Sequence, residues 1–272
     1  MLYRSVFFGL ILLCSLRLQA DALAEFENAY QHLLSEYTFM GEKAGIKTQL
    51  IHYRLWSLDK RHQQALLALR AFNPTHLSND VKKAFWINAY NFLTIDLIIK
   101  EQERDSIKNL GILFVNPWRR FSWPIADKDY SLHFIEHEIL RPMLDPRIHM
   151  AINCASLSCP DIRNSIYDAE TLDEQLDEQT RLFISNPNKG LSIDGKVVKL
   201  SRIFSWYKED FTSAGGVNAF IARYYDLPKT NNINYLDYNW DLNGSWQASK
   251  RSPPKNLASF HCGFIMIFLA TH

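Results

Sequence analysis

The chain has 272 residues, of which 47% are hydrophobic and 13% aromatic, enough for a sizeable buried core and too much for a disordered polymer. Its 30 basic and 29 acidic side chains nearly cancel. That balance argues against a basic nucleic-acid-binding surface and gives no sign of a polybasic membrane patch, so no nucleic-acid partner is expected.

The N-terminus reads Met1-Leu2-Tyr3-Arg4, then an apolar run from Ser5 to Leu16. Two small-residue exits follow, Leu18-Gln19-Ala20 and Ala22-Leu23-Ala24. A charged start, a short apolar run and a small-residue exit describe a secretory signal peptide, here residues 1–24. The run is shorter than the about 20 residues a bilayer span requires, so no integral span is expected in the mature chain. Cys14 follows Leu13, where a lipoprotein signal has a small residue, so no lipid anchor is read. The expectation is an exported protein, periplasmic or extracellular.

Ala24 to Ser35 is helical by the spacing of Phe26, Tyr30 and Leu33. Ser57 is placed to cap a helix from Leu58 to Phe72, closed by Asn73-Pro74. Ser78 opens the most hydrophobic helix, apolar nearly all round and therefore central. Asn88 and Asn91 lie inside it, where a buried amide must be hydrogen-bonded, either to a neighbouring backbone or beside a polar site. Ile107 to Asp129 is aromatic and irregular. Ser131 caps a helix to about Leu140, stopped or kinked by Pro142. Arg147 to Ile152 alternates like a strand, with Ile148, Met150 and Ile152 on one face. Asn153 to Arg163 is a turn-rich loop holding Cys154 and Cys159.

Thr171 and Glu174 form a capping-box pattern for a helix to about Ser185. Ile193-Asp194-Gly195-Lys196 reads as a hairpin turn. Helical pieces follow near Arg202 to Phe211 and Val217 to Tyr225, then a strand over Ile233 to Tyr238. There is no internal repeat and no flexible linker before Asn243. The expected architecture is a single helix-rich α+β domain over residues 25–243, with a few short strands. Residues 244–272 form a polar, proline-bearing linker and a short apolar tail.

Five segments taken together resemble the DUF547 family, a domain of unknown function. They are Ala84-Phe85-Trp86-Ile87-Asn88-Ala89-Tyr90-Asn91; Ser131-Leu132 with Ile135-Glu136-His137 and Leu140-Arg141; Asp145-Pro146-Arg147-Ile148-His149; Asn153-Cys154-Ala155-Ser156 with Ser158-Cys159-Pro160; and Phe204-Ser205-Trp206-Tyr207 with Asp210-Phe211. The resemblance runs from Lys82 to Asn243. It implies no assigned reaction. Some eukaryotic members join the domain to a glutaredoxin-like one, which implies thiol chemistry. The tail lies outside the family pattern, and His133 falls where that pattern has no histidine.

The first candidate site is His149 with Cys154 and Cys159. An imidazole near a thiol lowers its pKa and makes it a nucleophile. The residues fit a Cys-His hydrolase or transferase, with Cys154 attacking and His149 as base. They equally fit a redox pair cycling between dithiol and disulfide, or a structural disulfide pinning the loop. The second group is Glu136, His137 and Arg141. His137 and Arg141 are i, i+4 on one helix face, and Glu136 is placed to orient His149. The third is His133-x-x-Glu136-His137, the spacing of an inverted zinc-peptidase motif, with Glu209 available as a third ligand.

A fourth reading is non-catalytic. In it the aromatic stretch Phe114 to Trp123, with Trp206 and Tyr207, lines a recognition groove for an envelope partner or glycan. No phosphate loop, dinucleotide fingerprint or G-x-S-x-G elbow is present, so no cofactor is expected. The partner class is a small molecule, a peptide or an envelope component.

Overall fold

Helix α1 (Leu2–Tyr37) places Phe26, Tyr30, Leu33 and Leu34 on one face, and all four are buried. The computed structural model that shows this describes residues 2–195, 197–228 and 233–247, with side chains from residue 17 onward. The helix is longer than the Ala24–Ser35 expected from spacing, so both expected signal exits fall within helical chain. The hairpin β1 (Thr38–Lys43) and β2 (Ile46–His52) follows, antiparallel, with Thr38 opposite Ile51.

Helices α2 (Tyr53–Leu58) and α3 (Lys60–Ala71) meet at Asp59, not at Ser57. Asp59 is the cap that forms: its carboxylate accepts from Arg61 N at 2.9 Å, while the Ser57 hydroxyl turns back to Arg54 O. Helix α4 (Asn79–Glu101) is buried from Ala84 through Ile98, as its all-round apolarity requires. It is packed by Phe26 and Tyr30, whose rings meet Phe92 edge-on at 5.6 and 5.4 Å.

After a short helix α5 (Pro117–Arg120), the hairpin β3 (Ser122–Ile125) and β4 (Lys128–Ser131) leads to α6 (Leu132–Phe134). The Ser131 hydroxyl accepts from Phe134 N at 3.0 Å, so the expected cap forms. The helix it starts does not stay α-helical. Ile135–Leu140 is a π-turn and Arg141–Met143 a 3₁₀ turn around Pro142. A widened turn re-aims the side chains it carries, here Glu136 and His137.

The expected strand over Arg147–Ile152 is instead a helical turn, α7 (Ile148–Ala151). All four residues are buried, so the apolar alternation does not mark an exposed face. Asp145 and Pro146 set the turn: the Asp145 carboxylate accepts from Arg147 N, and Asp145 O from Ile148 N. Helix α8 (Leu172–Ser185) begins after Thr171, but the capping box does not close. The Gln175 side chain ties the preceding loop instead, accepting from Asp168 N and donating to Ile166 O.

Strands β5 (Leu191–Asp194) and β6 (Val197–Leu200) form the expected hairpin, with Gly195 at φ +57°. Helices α9 (Ile203–Trp206) and α10 (Val217–Ile221) are shorter than expected, separated by a 3₁₀ segment Lys208–Ala214. Strand β7 (Ile233–Tyr235) pairs parallel with β6, and β8 (Gly244–Ser245) parallel with β2. A side chain at Gly244 would sit 2.3 Å from Ile51 O, which requires glycine there.

The result is a helix-rich α+β domain with three small sheets among the described residues. A large core surrounds α4, and a second cluster joins Met150 to α8, β6, α9 and α10. No helix among the described residues is long and apolar enough to cross a membrane. The linker and tail expected after Asn243 lie, from residue 248 on, outside the described residues.

Candidate active site

The site is built from the central helix outward. Asn88 donates to Tyr167 O and accepts from Tyr167 N, at 2.8 and 2.9 Å. Asn91 donates to Ala151 O at 2.9 Å and accepts from Asn153 N at 2.7 Å. Both buried amides therefore bind backbone in pairs, and Asn91 fixes the point where α7 gives way to the cysteine loop.

Asn153 closes that loop: it donates to Pro160 O at 2.6 Å and accepts from Ala155 N at 2.8 Å. Ala155 is held at φ +59°. The chain from Asn239 to Asn243 braces the loop's other edge, with Leu157 N donating to Asp241 O and Asn243 N to Ala155 O. Lys189 holds it from beneath. Its buried ammonium donates to Thr48 Oγ1, to Cys159 O and to Asp161 Oδ1 at 2.6, 2.9 and 2.5 Å.

Within this frame Cys154 and Cys159 form a disulfide, their Cα atoms 6.1 Å apart. Cys159 is buried, whereas Cys154 is half-buried at the wall of a cavity of about 190 Å³. The Cys154 N–H donates to the Cys159 sulfur at 2.9 Å, and the Tyr238 hydroxyl lies 3.4 Å from each sulfur. The Ser156 hydroxyl lies 3.2 Å from the Cys154 sulfur.

The same cavity is lined by His149, His137, His133, Glu136 and Tyr207, with Trp118, Trp206 and Trp240 among its aromatic walls. His149 is buried and stacked on Tyr207, with ring centroids 4.0 Å apart. Its Nε2 meets Asp210 Oδ2 at 2.7 Å. Asp210 also receives the Arg141 guanidinium as a fork, at 2.6 and 2.7 Å. Burial alone would raise the Asp210 pKa. The hydrogen bonds and charges of His149 and Arg141 hold it instead well below the usual carboxylate range.

Arg141 turns its other nitrogen to His137 Nδ1 at 2.6 Å. A guanidinium can only donate, so this His137 nitrogen is an acceptor and the ring is neutral. Burial, then the charges of His133, Arg141 and Arg119, lower the His137 pKa to about 4. Glu136 is buried and accepts from the Tyr90 hydroxyl at 3.2 Å and from Tyr207. Burial, then the Glu136 charge, raises both phenols above their ordinary range.

Residues 74–184 match the model of a family described as protein of unknown function, DUF547. This stretch is a DUF547 segment. No solved structure matches the chain. The match is shorter than the Lys82 to Asn243 span of the resemblance at its C-terminal end, so Tyr207 and Asp210 lie beyond it. The fold nevertheless returns Tyr207 to the cavity wall and Asp210 to His149 and Arg141 beside it.

Of the expected site residues, His149, Cys154, Cys159, Glu136 and His137 all line the one cavity, and Arg141 braces it through Asp210 and His137. Three expectations change. Cys154 is not a free thiol, since its sulfur is bonded to Cys159. Glu136 does not orient His149; Asp210 does, and Glu136 is held by tyrosines. The residues of the zinc motif are not assembled as ligands. His133 and His137 rings pack 4.1 Å apart, but Arg141 occupies His137 Nδ1 and Glu209 lines other hollows. Among the described residues no three His, Cys, Asp or Glu side chains are grouped to hold a metal ion.

The partner of His149, Asp210, is not singled out by spacing, although it stands in the Trp206-Tyr207…Asp210-Phe211 motif. The available signal was an acidic residue inside an aromatic motif, where a carboxylate needs a partner.

Proposed function

We propose that this cavity is a thiol–disulfide exchange site of an exported protein, worked by the Cys154–Cys159 disulfide with His149–Asp210 as its acid–base pair. The observation that carries the reading is that the disulfide and His149, which Asp210 engages from behind, border one cavity, with two donors aimed at the Cys159 sulfur. The substrate class is a thiol carried by a small molecule or peptide, admitted between the tryptophans. Export is supported by the signal-like N-terminus and by a disulfide, which persists in an oxidising compartment.

The exchange runs as follows. Asp210 engages Nε2 of His149, so Nδ1 is the basic atom that takes the proton of the incoming thiol. The thiolate attacks the Cys154 sulfur, the more accessible of the two, and forms a mixed disulfide. The Cys154–Cys159 bond breaks, and its electron pair leaves on Cys159 as a thiolate. The Cys154 N–H and the Tyr238 hydroxyl stabilise that charge. A second substrate thiolate then attacks the substrate sulfur, releasing an oxidised disulfide product and leaving both cysteines reduced.

The test is to mix the oxidised protein with reduced glutathione, quench with an alkylating agent, and follow the mixed disulfide at Cys154 by mass spectrometry. The expected result is glutathione on Cys154 before Cys159 is alkylated, with a rate about 100-fold lower in His149→Ala. A bond that stays closed in millimolar thiol, or a rate indifferent to His149, would make the disulfide a structural pin and sink the proposal.

A further inference from the structure

Next to the cavity the chain makes a tight turn of four consecutive apolar residues, Ile112-Leu113-Phe114-Val115. Ile112 and Val115 close it with two backbone hydrogen bonds, Ile112 N to Val115 O at 3.0 Å and Val115 N to Ile112 O at 2.8 Å. Leu113 is 94% exposed and Phe114 fully so, while Ile112 and Val115 are about half exposed. Leu113 sits at φ +50°, a left-handed conformation that a bulky side chain adopts only at a cost. The fold thus accepts strain to hold two large apolar side chains out in water, where they stabilise nothing in the domain.

The base of the turn is rigid and cationic. Asn116 accepts from Arg119 N at 3.0 Å, and Arg120 donates to Leu110 O at 2.7 Å. From Ser106 to Ala126 the chain carries Lys108, Arg119 and Arg120 and no acidic residue. Asn116 and Trp118, immediately after the tip, line the cavity wall.

We propose that the Ile112–Val115 turn is a membrane-surface anchor. Leu113 and Phe114 enter the acyl boundary of an anionic bilayer, while Lys108, Arg119 and Arg120 face the headgroup phosphates. Three observations favour lipid over a protein partner. The tip is convex and needs no shaped receptor. Its end-residue amides and carbonyls already pair across the turn, so little backbone must be stripped of water in the interface. The segment that carries it, Ser106 to Ala126, has charges of one sign, complementary to anionic lipid. The consequence is positional: the cavity that Asn116 and Trp118 line is held close to the bilayer surface.

The test uses the full chain with vesicles of phosphatidylcholine containing phosphatidylglycerol. Sedimentation is expected to show about 100-fold weaker binding for the double variant Leu113→Ser/Phe114→Ser, since each buried side chain contributes about tenfold or more. Replacing Arg119 or Arg120 by Gln is expected to weaken binding about fivefold, and only when the anionic lipid is present. The apolar run at the N-terminus can bind vesicles on its own, so a second measurement isolates the tip. Phe114→Trp adds one indole at the apex, and lipids brominated near the top of the acyl chain are expected to quench that added fluorescence. Equal binding of wild type and double variant together with an unquenched indole would overturn the proposal. A tip made for a protein pocket gives that result.

Discussion

Among the described residues are two histidine–aspartate pairs of nearly the same length, and they sit in different surroundings. His62 Nε2 meets Asp96 Oδ1 at 2.8 Å beneath the hydrophobic core. The Trp56 indole donates to His62 Nδ1 at 3.0 Å, and the Trp123 indole donates to the other Asp96 oxygen at 2.6 Å. Since the indole can only donate, Nδ1 of His62 is an acceptor and Nε2 carries the proton to Asp96. Every side-chain nitrogen and oxygen of that pair is engaged by protein. His149 and Asp210 are 2.7 Å apart, but Asp210 is shared with the Arg141 guanidinium, and His149 lines the disulfide cavity. A histidine–aspartate pair is therefore not by itself a sign of catalysis. What distinguishes the second is a cavity at His149 with a disulfide in its wall.

The largest effect that separates the two pairs is expected at Asp96. Asp96→Ala strands the His62 and Trp123 donors in a sealed core, where breaking a buried pair costs about 3–5 kcal/mol. Urea unfolding reads that loss. At conditions where the variant is still folded, glutathione exchange at Cys154 should match the wild-type rate. Loss of exchange without loss of stability would reverse the roles assigned here.

Asp210→Ala is expected to show the inverse pattern. Its stability loss should be smaller, about 1–2 kcal/mol, because the Asp210 side chain is 18% exposed and water can reach the donors it leaves. Its exchange rate should fall towards that of His149→Ala, because the imidazole loses the acceptor that fixes its tautomer. Measuring unfolding and mixed-disulfide formation on the same two variants crosses stability against chemistry, and the comparison fails if the effects run in parallel.

Much of the scaffold was readable along the chain because it depends on local pattern. The all-round apolarity of α4, the Gly195 hairpin and the need of Asn88 and Asn91 for partners each follow from a few neighbouring residues. The joining of Cys154 to Cys159 is local in the same sense, a reading the residues alone offered beside free thiols. Four residues of alternating apolarity from Ile148 are too few to distinguish a strand from one helical turn, and Asp145-Pro146 decided for the turn. The partner of His149 was not readable from spacing. Asp210 lies far along the chain, and only the packing of the second core cluster delivers it. Glu136 lies nearer to His149 along the chain, yet the π-turn from Ile135 to Leu140 delivers it to Tyr90 and Tyr207 instead. Local pattern specifies elements, whereas sites are assembled across them.

The smallest effect tests the cationic surround that the open pair has and the sealed pair lacks. His137 titrates near 6.5 when unperturbed, and burial together with the charges of His133, Arg141 and Arg119 brings it to about 4 in the folded protein. Between those two values the unfolded chain binds the proton and the folded chain does not, so stability falls as the pH is lowered from 6.5 to 4. Above that window the ring is neutral in both states and contributes no slope; below it the penalty has reached its full size. His133 is lowered in the same direction and adds to the trend. Carboxylates held down by partners, such as Asp59 at about 2, lose their contribution at still lower pH, so raw midpoints mix several groups. The difference between wild type and His137→Gln cancels them, and glutamine keeps an acceptor for Arg141. That difference in thermal midpoint should be constant above pH 6.5 and shift steadily in favour of the variant as the pH falls to 4. A flat difference across the window would mean that His137 takes up its proton as readily in the fold as outside it, and the cationic surround of Asp210 and His149 would then be weaker than their geometry implies.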